Sequence, residues 1–343
     1  QDLKARFVAP CTSTETILAA IWKGILGLEQ IGIHDNFFDL GGHSIIAMQL
    51  MVKIQQQFGK SFPVTAFFQA PTIAQFAQRI SQQELPEAFT PLVGIQPHGA
   101  NLPFFCMHAV DGGVFYYNDL ARLMGTKQPF YALQASGLEP GTPILTRFED
   151  MAAEYIKAIR SVHPQGPYLV GGYSLGGIIA YEVAQQLRRS GAQVALVAII
   201  DITPQYTVFE GANHFFAFMK AISGLLKIDL FPFYREIRGI DVHAGDEGIR
   251  KDLQSLSGQE RLTMLWECIQ KTGSLPPGLD PERIDRAMSV FNANTEAVRT
   301  YPVQPYHGRI ALFRSLHDLV QKLDDPTFGW GQYTATPIEI YDL

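Results

Sequence analysis

The run Tyr168-Leu169-Val170-Gly171-Gly172-Tyr173-Ser174-Leu175-Gly176-Gly177 decides the fold of most of this chain. Its first four residues are a short apolar stretch with strand character, and a helical pattern runs from Gly176 to Ser190. Between them lies G-x-S-x-G, with Gly172 and Gly176 around Ser174. Glycines flank serines often by chance. A strand before and a helix after turn the motif into a nucleophile elbow, a tight turn that exposes the hydroxyl. Its glycines relieve crowding in that turn. A plain glycine-rich strand-to-helix connection is the competing reading of the same residues.

The surrounding chain has the rhythm this reading needs. Short apolar strands are predicted at 104–108, 129–133, 168–171, 194–200, 309–313 and 337–341, with helices at 118–123, 148–161 and 176–190 between them. Alternation of this kind builds a parallel sheet covered by helices. Residues 204–300 break the rhythm and are helix-rich, with apolar stretches at 215–226, 261–269 and 284–298. A helical insertion between two sheet strands is a candidate lid over the site; an ordinary helical layer is the alternative.

Residues 12–80 are predicted to be helical throughout. Thr12 and Glu15 make a capping box ahead of Ile17, Leu18, Ile21, Ile25 and Leu26. A second helix starts at Ser44 and a third follows Pro71-Thr72. Residues 82–100 carry prolines, glycines and polar residues without period and are expected to be a linker.

The 343 residues suit two domains, and 47% hydrophobic against 17% charged residues suits buried cores. A net charge of −6 argues against nucleic acid, which selects a basic face. Cys11, Cys106 and Cys268 are scattered, which argues against a disulfide framework or zinc site. Each is expected to be a small buried hydrophobe in a reducing, cytoplasmic setting. The start lacks the apolar core of a signal peptide, and no run of 18 apolar residues exists. The opening residue is not methionine, so the chain is expected to be a piece of something larger.

The stretch Asp35-Asn36-Phe37-Phe38-Asp39-Leu40-Gly41-Gly42-His43-Ser44 is the second informative motif. A serine at a helix start is by default an N-cap. That does not account for the paired phenylalanines, the paired glycines and the acid together. The stretch resembles the modification motif of peptidyl carrier proteins, and the later helix entry Phe67-Phe68-Gln69-Ala70-Pro71-Thr72 is similar to that family as well. The resemblance implies that Ser44 receives 4′-phosphopantetheine from a phosphopantetheinyl transferase. A helix N-terminus suits the new anionic phosphodiester, and Gly41 and Gly42 are read as giving the incoming enzyme close approach. Gly-Gly-His favours a peptide over a polyketide carrier; a synthetase hybrid with a polyketide synthase stays open.

Residues 101–343 resemble the thioesterase domains of nonribosomal peptide synthetases. The whole then reads as a carrier–thioesterase didomain: a small all-α four-helix carrier bundle over 1–81, a linker over 82–100, and an α/β-hydrolase domain over 101–343 with its lid at about 204–300. The resemblance implies Ser174 as nucleophile and Asp201, after an apolar strand, as the acid; Asp318 is the runner-up. It implies an oxyanion hole from the amides of Leu175 and Val110, with Ala109 as the neighbouring candidate and His108 structural. The base should be a histidine after the last strand, beyond Leu343. Of the later histidines, His214 and His243 fall in the insertion and His307 precedes a strand, which leaves His317 as the internal candidate.

The activity this implies is release of a peptidyl thioester from Ser44 through Ser174, by hydrolysis or macrocyclisation, with condensation and adenylation domains upstream. The rival readings are a carrier fused to an inactive hydrolase, and an editing hydrolase. Reductive release is disfavoured because no G-x-G-x-x-G follows a strand.

Overall fold

The computed structural model describes residues 7–60, 62–82, 89–204, 212–226, 228–272, 281–315 and 325–343. Helices α1 (Ser13–Leu26), α2 (Ser44–Phe58), α3 (Ala66–Gln69) and α4 (Ile73–Ser81) come first. Then follow β1 (Leu92–Gln96), β2 (Phe104–Met107), α5 (Tyr117–Leu123), β3 (Phe130–Leu133), α6 (Phe148–Val162), β4 (Tyr168–Tyr173), α7 (Leu175–Arg189) and β5 (Val194–Ile200). Helices α8 (Ala212–Leu226), α9 (Phe231–Arg238), α10 (Gly245–Gln254), α11 (Gly258–Lys271) and α12 (Pro281–Thr300) separate β5 from β6 (Ile310–Arg314), and β7 (Glu339–Asp342) closes the order. The chain forms two compact units, residues 1–88 with 215–284 and residues 89–214 with 285–343. No helix among the described residues is long and apolar enough to cross a membrane.

In the first unit, α1 starts on the Thr12–Glu15 capping box and stops at Gly27, whose φ of 68° is the left-handed value that glycine takes without strain. Helix α4 starts on a second capping box, Thr72 with Gln75. The core between these helices is aromatic. Trp22, Phe37, Phe67 and Phe76 are fully buried. Phe37 stacks on Phe67 at 4.4 Å between ring centroids and meets Trp22 edge-on at 5.5 Å. Each such pair adds about 0.5–1.5 kcal/mol beyond the area it buries. Farther along the same unit, Asp252 of α10 accepts from Tyr234 Oη and Arg238 Nε of α9, both at 2.7 Å.

The second unit is a seven-stranded sheet in the order β1-β3-β2-β4-β5-β6-β7. Among the described residues, β1 alone of these strands runs antiparallel to its neighbour. Strand β1 lies in the stretch expected to be linker. The prolines that argued against a strand, Pro91 and Pro97, bracket it, where a missing N–H costs no ladder bond. Strand β4, which leads into Ser174, lies at the centre, between β2 and β5. All four residues of β2 are buried, as a strand covered on both faces requires. Phe105, Tyr155, Tyr168, Ile178 and Tyr181 lie in one core that also takes Tyr306 and Trp330 from the C-terminal part.

Cys106 and Cys268 are buried, but Cys11 is exposed. It caps the entrance to α1, its Sγ donating to Glu15 Oε2 at 3.1 Å, a local polar role that hydrophobic patterning could not reveal.

One buried carboxylate ties α7 to the end of the helical insertion. Glu182 is only 2% exposed. Its Oε1 accepts from Arg189 at 2.8 Å and Gln186 at 2.9 Å, and its Oε2 accepts from Tyr301 Oη at 2.7 Å. Removing only the tyrosine hydroxyl leaves Oε2 desolvated and short of a donor. Tyr301→Phe is therefore expected to destabilise the protein by about 1–3 kcal/mol, read from the midpoint of urea unfolding.

Candidate active site and carrier site

Ser174 sits between β4 and α7 with φ 51° and ψ −132°, a backbone region that costs a non-glycine residue roughly 1–3 kcal/mol. The turn persists because its surroundings hold it. Ser174 donates its amide to Ile200 O at 2.8 Å, and Gly177 donates to Ser174 O at 2.8 Å. Both motif glycines are sterically required. A Cβ on Gly176 would lie 2.3 Å from Met107 O, and one on Gly172 would lie 2.3 Å from the Gly176 carbonyl carbon. These are backbone atoms and cannot swing aside.

Asp201 follows β5 and also holds a positive φ, 57°. Its amide donates to Phe313 O at 2.7 Å, and its Oδ1 accepts from Ser315 N at 3.0 Å. The acid is thus clamped to the end of β6 by main chain on both counts. Trp330, fully buried, donates its indole N–H to Ile202 O at 2.8 Å and so pins the next residue. The runner-up acid Asp318 and the internal candidate base His317 lie outside the described residues. His307 and His243 are exposed, and His214 lies on α8. Among the described residues, no hydrogen bond joins a histidine to Ser174 or Asp201.

The loop after β2 is fastened at successive peptide groups. Ala109 N–H donates to Tyr116 Oη at 2.6 Å, which removes it as a free donor. Ala109 O accepts from Gly112 N at 3.0 Å, and Val110 O accepts from Asn294 Nδ2 at 2.9 Å. Among the described residues, nothing accepts from the amides of Val110 or Leu175. Leu175, the residue after the strained serine, and Val110, in the loop after β2, thus keep N–H groups of the kind a developing oxyanion needs. Tyr117 stitches the two halves of the site together, donating to Met107 O at 2.6 Å and accepting from Tyr173 N at 2.9 Å. His108 is buried, with Nδ1 2.7 Å from Ala109 O and Nε2 2.7 Å from Tyr155 Oη. Burial pulls its pKa down to about 4, so it is neutral at physiological pH. Tyr116, Tyr117, Tyr155 and Asn294 escaped the sequence reading, because a tyrosine or asparagine in an apolar pattern carries no mark of the carbonyl it will meet.

At the carrier site, Ser44 is the first residue of α2, and the capping position falls to His43. The ordinary work of a serine at a helix start is therefore not assigned to Ser44. The first turn of this 15-residue helix contains no acidic residue. Its amide groups and the positive end of its dipole suit an anionic phosphodiester, so the residues present fit a phosphopantetheine attached there. The glycines before it have an internal reason besides the access read from the sequence. Gly41 holds φ 89°, and a Cβ on Gly42 would lie 2.5 Å from the Phe37 ring.

Residues 16–80 match the family described as phosphopantetheine attachment site, and residues 102–217 match the thioesterase domain family. Chondramide synthase of Chondromyces crocatus is 30% identical over 358 residues, 99% of this chain and 9% of the relative. The dimodular nonribosomal peptide synthase of Bacillus subtilis (strain 168) is 31% identical over 343 residues, 97% of this chain and 13% of the relative. The chain thus spans only a small part of the length of these relatives. Among solved structures, a holo four-domain nonribosomal peptide synthetase bound to AMP and glycine superposes with a TM-score of 0.63 at 26% identity, covering 100% of this chain and 25% of its own.

Two outcomes test this geometry. Gly176→Ala, with no room for its methyl against Met107 O, is expected to abolish covalent labelling of Ser174 by a fluorophosphonate, followed by peptide mass spectrometry. Asp111, within the same loop, is the second. Its Oδ1 is buried without a partner among the described residues, and burial pushes its pKa up to about 6. A carboxyl raised in the folded state favours folding below its unfolded pKa of about 3.9 and loses that contribution as pH rises through 6. Asp111→Asn is therefore expected to raise the thermal midpoint at pH 7–8, with the gain fading between about pH 6 and pH 4.

Proposed function

We propose that this chain, a phosphopantetheine attachment domain followed by a thioesterase domain with nonribosomal peptide synthetases as its homologues, accepts a peptide as a thioester at Ser44 and releases it through Ser174. When bound to Ser44, 4′-phosphopantetheine supplies a flexible arm ending in the thiol that carries the acyl group. Ser174 Oγ attacks the thioester carbonyl while a histidine takes its proton and Asp201 orients that histidine. The resemblance puts this histidine after β7, with His317 as the internal candidate. The carbonyl oxygen becomes an oxyanion held by the Val110 and Leu175 amides. The C–S bond then breaks, the thiol leaves with the proton, and the acyl group stays on Ser174.

Water would resolve that ester to an acid; an amine or hydroxyl of the peptide itself would close a ring. We assign the choice to the helical stretch between β5 and β6, acting as a lid that admits or excludes water. The reading also implies condensation and adenylation domains upstream, a phosphopantetheinyl transferase as partner, and a cytoplasmic setting.

The observation that carries the proposal is Ser174 held at φ 51°, followed by a Leu175 amide that has no partner among the described residues. Backbone strain of this kind is retained where the site over-determines it. The test is mass spectrometry of the protein incubated with coenzyme A and a transferase, then with a fluorophosphonate. Ser44→Ala is expected to lose the phosphopantetheine adduct and keep the fluorophosphonate adduct, and Ser174→Ala the reverse. Asp201→Asn is expected to lower thioester turnover by roughly a thousandfold or more. A protein that loads Ser44 yet never labels Ser174 would instead be a carrier joined to an inactive hydrolase.

A further inference from the structure

The amide proposed as one oxyanion donor belongs to the peptide group joining Ala109 to Val110. A peptide group is planar, with its C=O and N–H on opposite edges. Whatever holds Ala109 O therefore aims Val110 N–H. Two donors hold that oxygen, Gly112 N at 3.0 Å and His108 Nδ1 at 2.7 Å.

A carbonyl oxygen only accepts, so the His108 proton lies on Nδ1. Nε2 is then the acceptor, and the group 2.7 Å from it, Tyr155 Oη, is the donor. Both are fully or almost fully buried: His108 is 0% and Tyr155 1% exposed. The result is a directed chain from Tyr155 O–H to His108 Nε2, from His108 Nδ1–H to Ala109 O, and across the peptide to Val110 N–H. The flanking peptide groups are pinned as well, by Tyr116 at Ala109 N and by Asn294 at Val110 O. Of this run of main-chain groups, the Val110 N–H is the one left without a partner among the described residues.

We propose that His108 is a positioning residue for oxyanion stabilisation: it orients the Ala109–Val110 peptide and, by hydrogen-bonding its oxygen, strengthens the Val110 N–H as a donor to the reacting thioester. Tyr155 selects the tautomer that makes this possible. Donating to an amide oxygen polarises its N–H, and bonds in such a chain reinforce one another. A donor aimed in advance costs nothing to reorient as charge develops. Its neutral form and its two committed nitrogens exclude His108 from the proton transfer itself. This rests on the reading of Val110 N–H as an oxyanion donor.

The test measures kcat and KM for an acyl N-acetylcysteamine thioester, normalised to sites titrated by a fluorophosphonate. His108→Leu is expected to lower kcat by about tenfold to a hundredfold, somewhat less than deletion of an oxyanion donor, with KM changed less than about twofold because ground-state binding is spared. His108→Asn, whose side-chain amide can stand in for Nδ1–H, is expected to recover most of that loss. Tyr155→Phe is expected to lower kcat by about threefold to tenfold, on the scale of one hydrogen bond, again at constant KM. A kcat for His108→Leu within twofold of wild type, an effect confined to KM, or an asparagine variant no better than leucine would overturn the proposal. If His108→Leu does not fold, the other two variants decide: Tyr155→Phe with unchanged kcat overturns it, and a fall in kcat alone, with His108→Asn close to wild type, upholds it. A wild-type protein that neither labels nor turns over the thioester would overturn the release reading itself, and this inference with it.

Discussion

The candidate active site depends on main chain packed against main chain where α7 begins. The first turn of that helix lies so close to the end of β2 that a methyl group on Gly176 would come within 2.3 Å of a carbonyl oxygen. No side chain mediates this approach, so none can adjust to relieve it. The closeness brings the unpaired Leu175 amide and the loop after β2 to the same end of the sheet. It also keeps Ser174 in a backbone conformation that an isolated turn would abandon. The strain is held by the hydrogen bond from Ser174 N to Ile200 O and by the burial of α7, whose first six residues after the serine are all buried.

Around that constraint, tyrosines act as braces. Tyr117 joins the end of β2 to the end of β4, Tyr116 takes up one amide of the intervening loop, and Tyr155 orients His108. A tyrosine suits this work because its ring fills apolar space while its hydroxyl can both donate and accept. Burial pushes the pKa of Tyr117 and Tyr155 upward, so their hydroxyl protons stay in place. Rigidity at the loop after β2 thus comes from side chains behind the main chain, in keeping with the general dependence of a site on the shell behind it.

The carrier site is built on a different principle. Its serine needs a helix start and an accessible anion site rather than a strained turn, and the aromatic core supplies the first. Phe37 N donates to Pro71 O at 2.7 Å and Gly42 N to Phe37 O at 2.8 Å, so the segment before Ser44 is fixed to the entrance of α4. Phe37 then fills the space that Gly42 leaves empty. The paired aromatics and paired glycines of the motif are two sides of one packing contact.

By itself, the amino-acid sequence determined what is local: the helix starts with their capping residues, the alternation of strands and helices, and the two serines with the glycines around them. Such features are set by contacts within a few residues, and so they are legible in order along the chain. What only the tertiary structure decided is everything that depends on groups far apart in the sequence. The pairing of Leu92–Gln96 with β3 made a strand of a proline-bracketed stretch that had looked like linker. The main-chain clamp on Asp201 comes from residues 313 and 315, and the hold on Val110 comes from Asn294, 184 residues away. The commitment of Ala109 N to Tyr116, which leaves Val110 N–H as a donor without a partner among the described residues, is likewise written in no local pattern. A buried hydrogen bond is worth making only if its partner is there, and where the partner lies is settled by how the whole sheet closes.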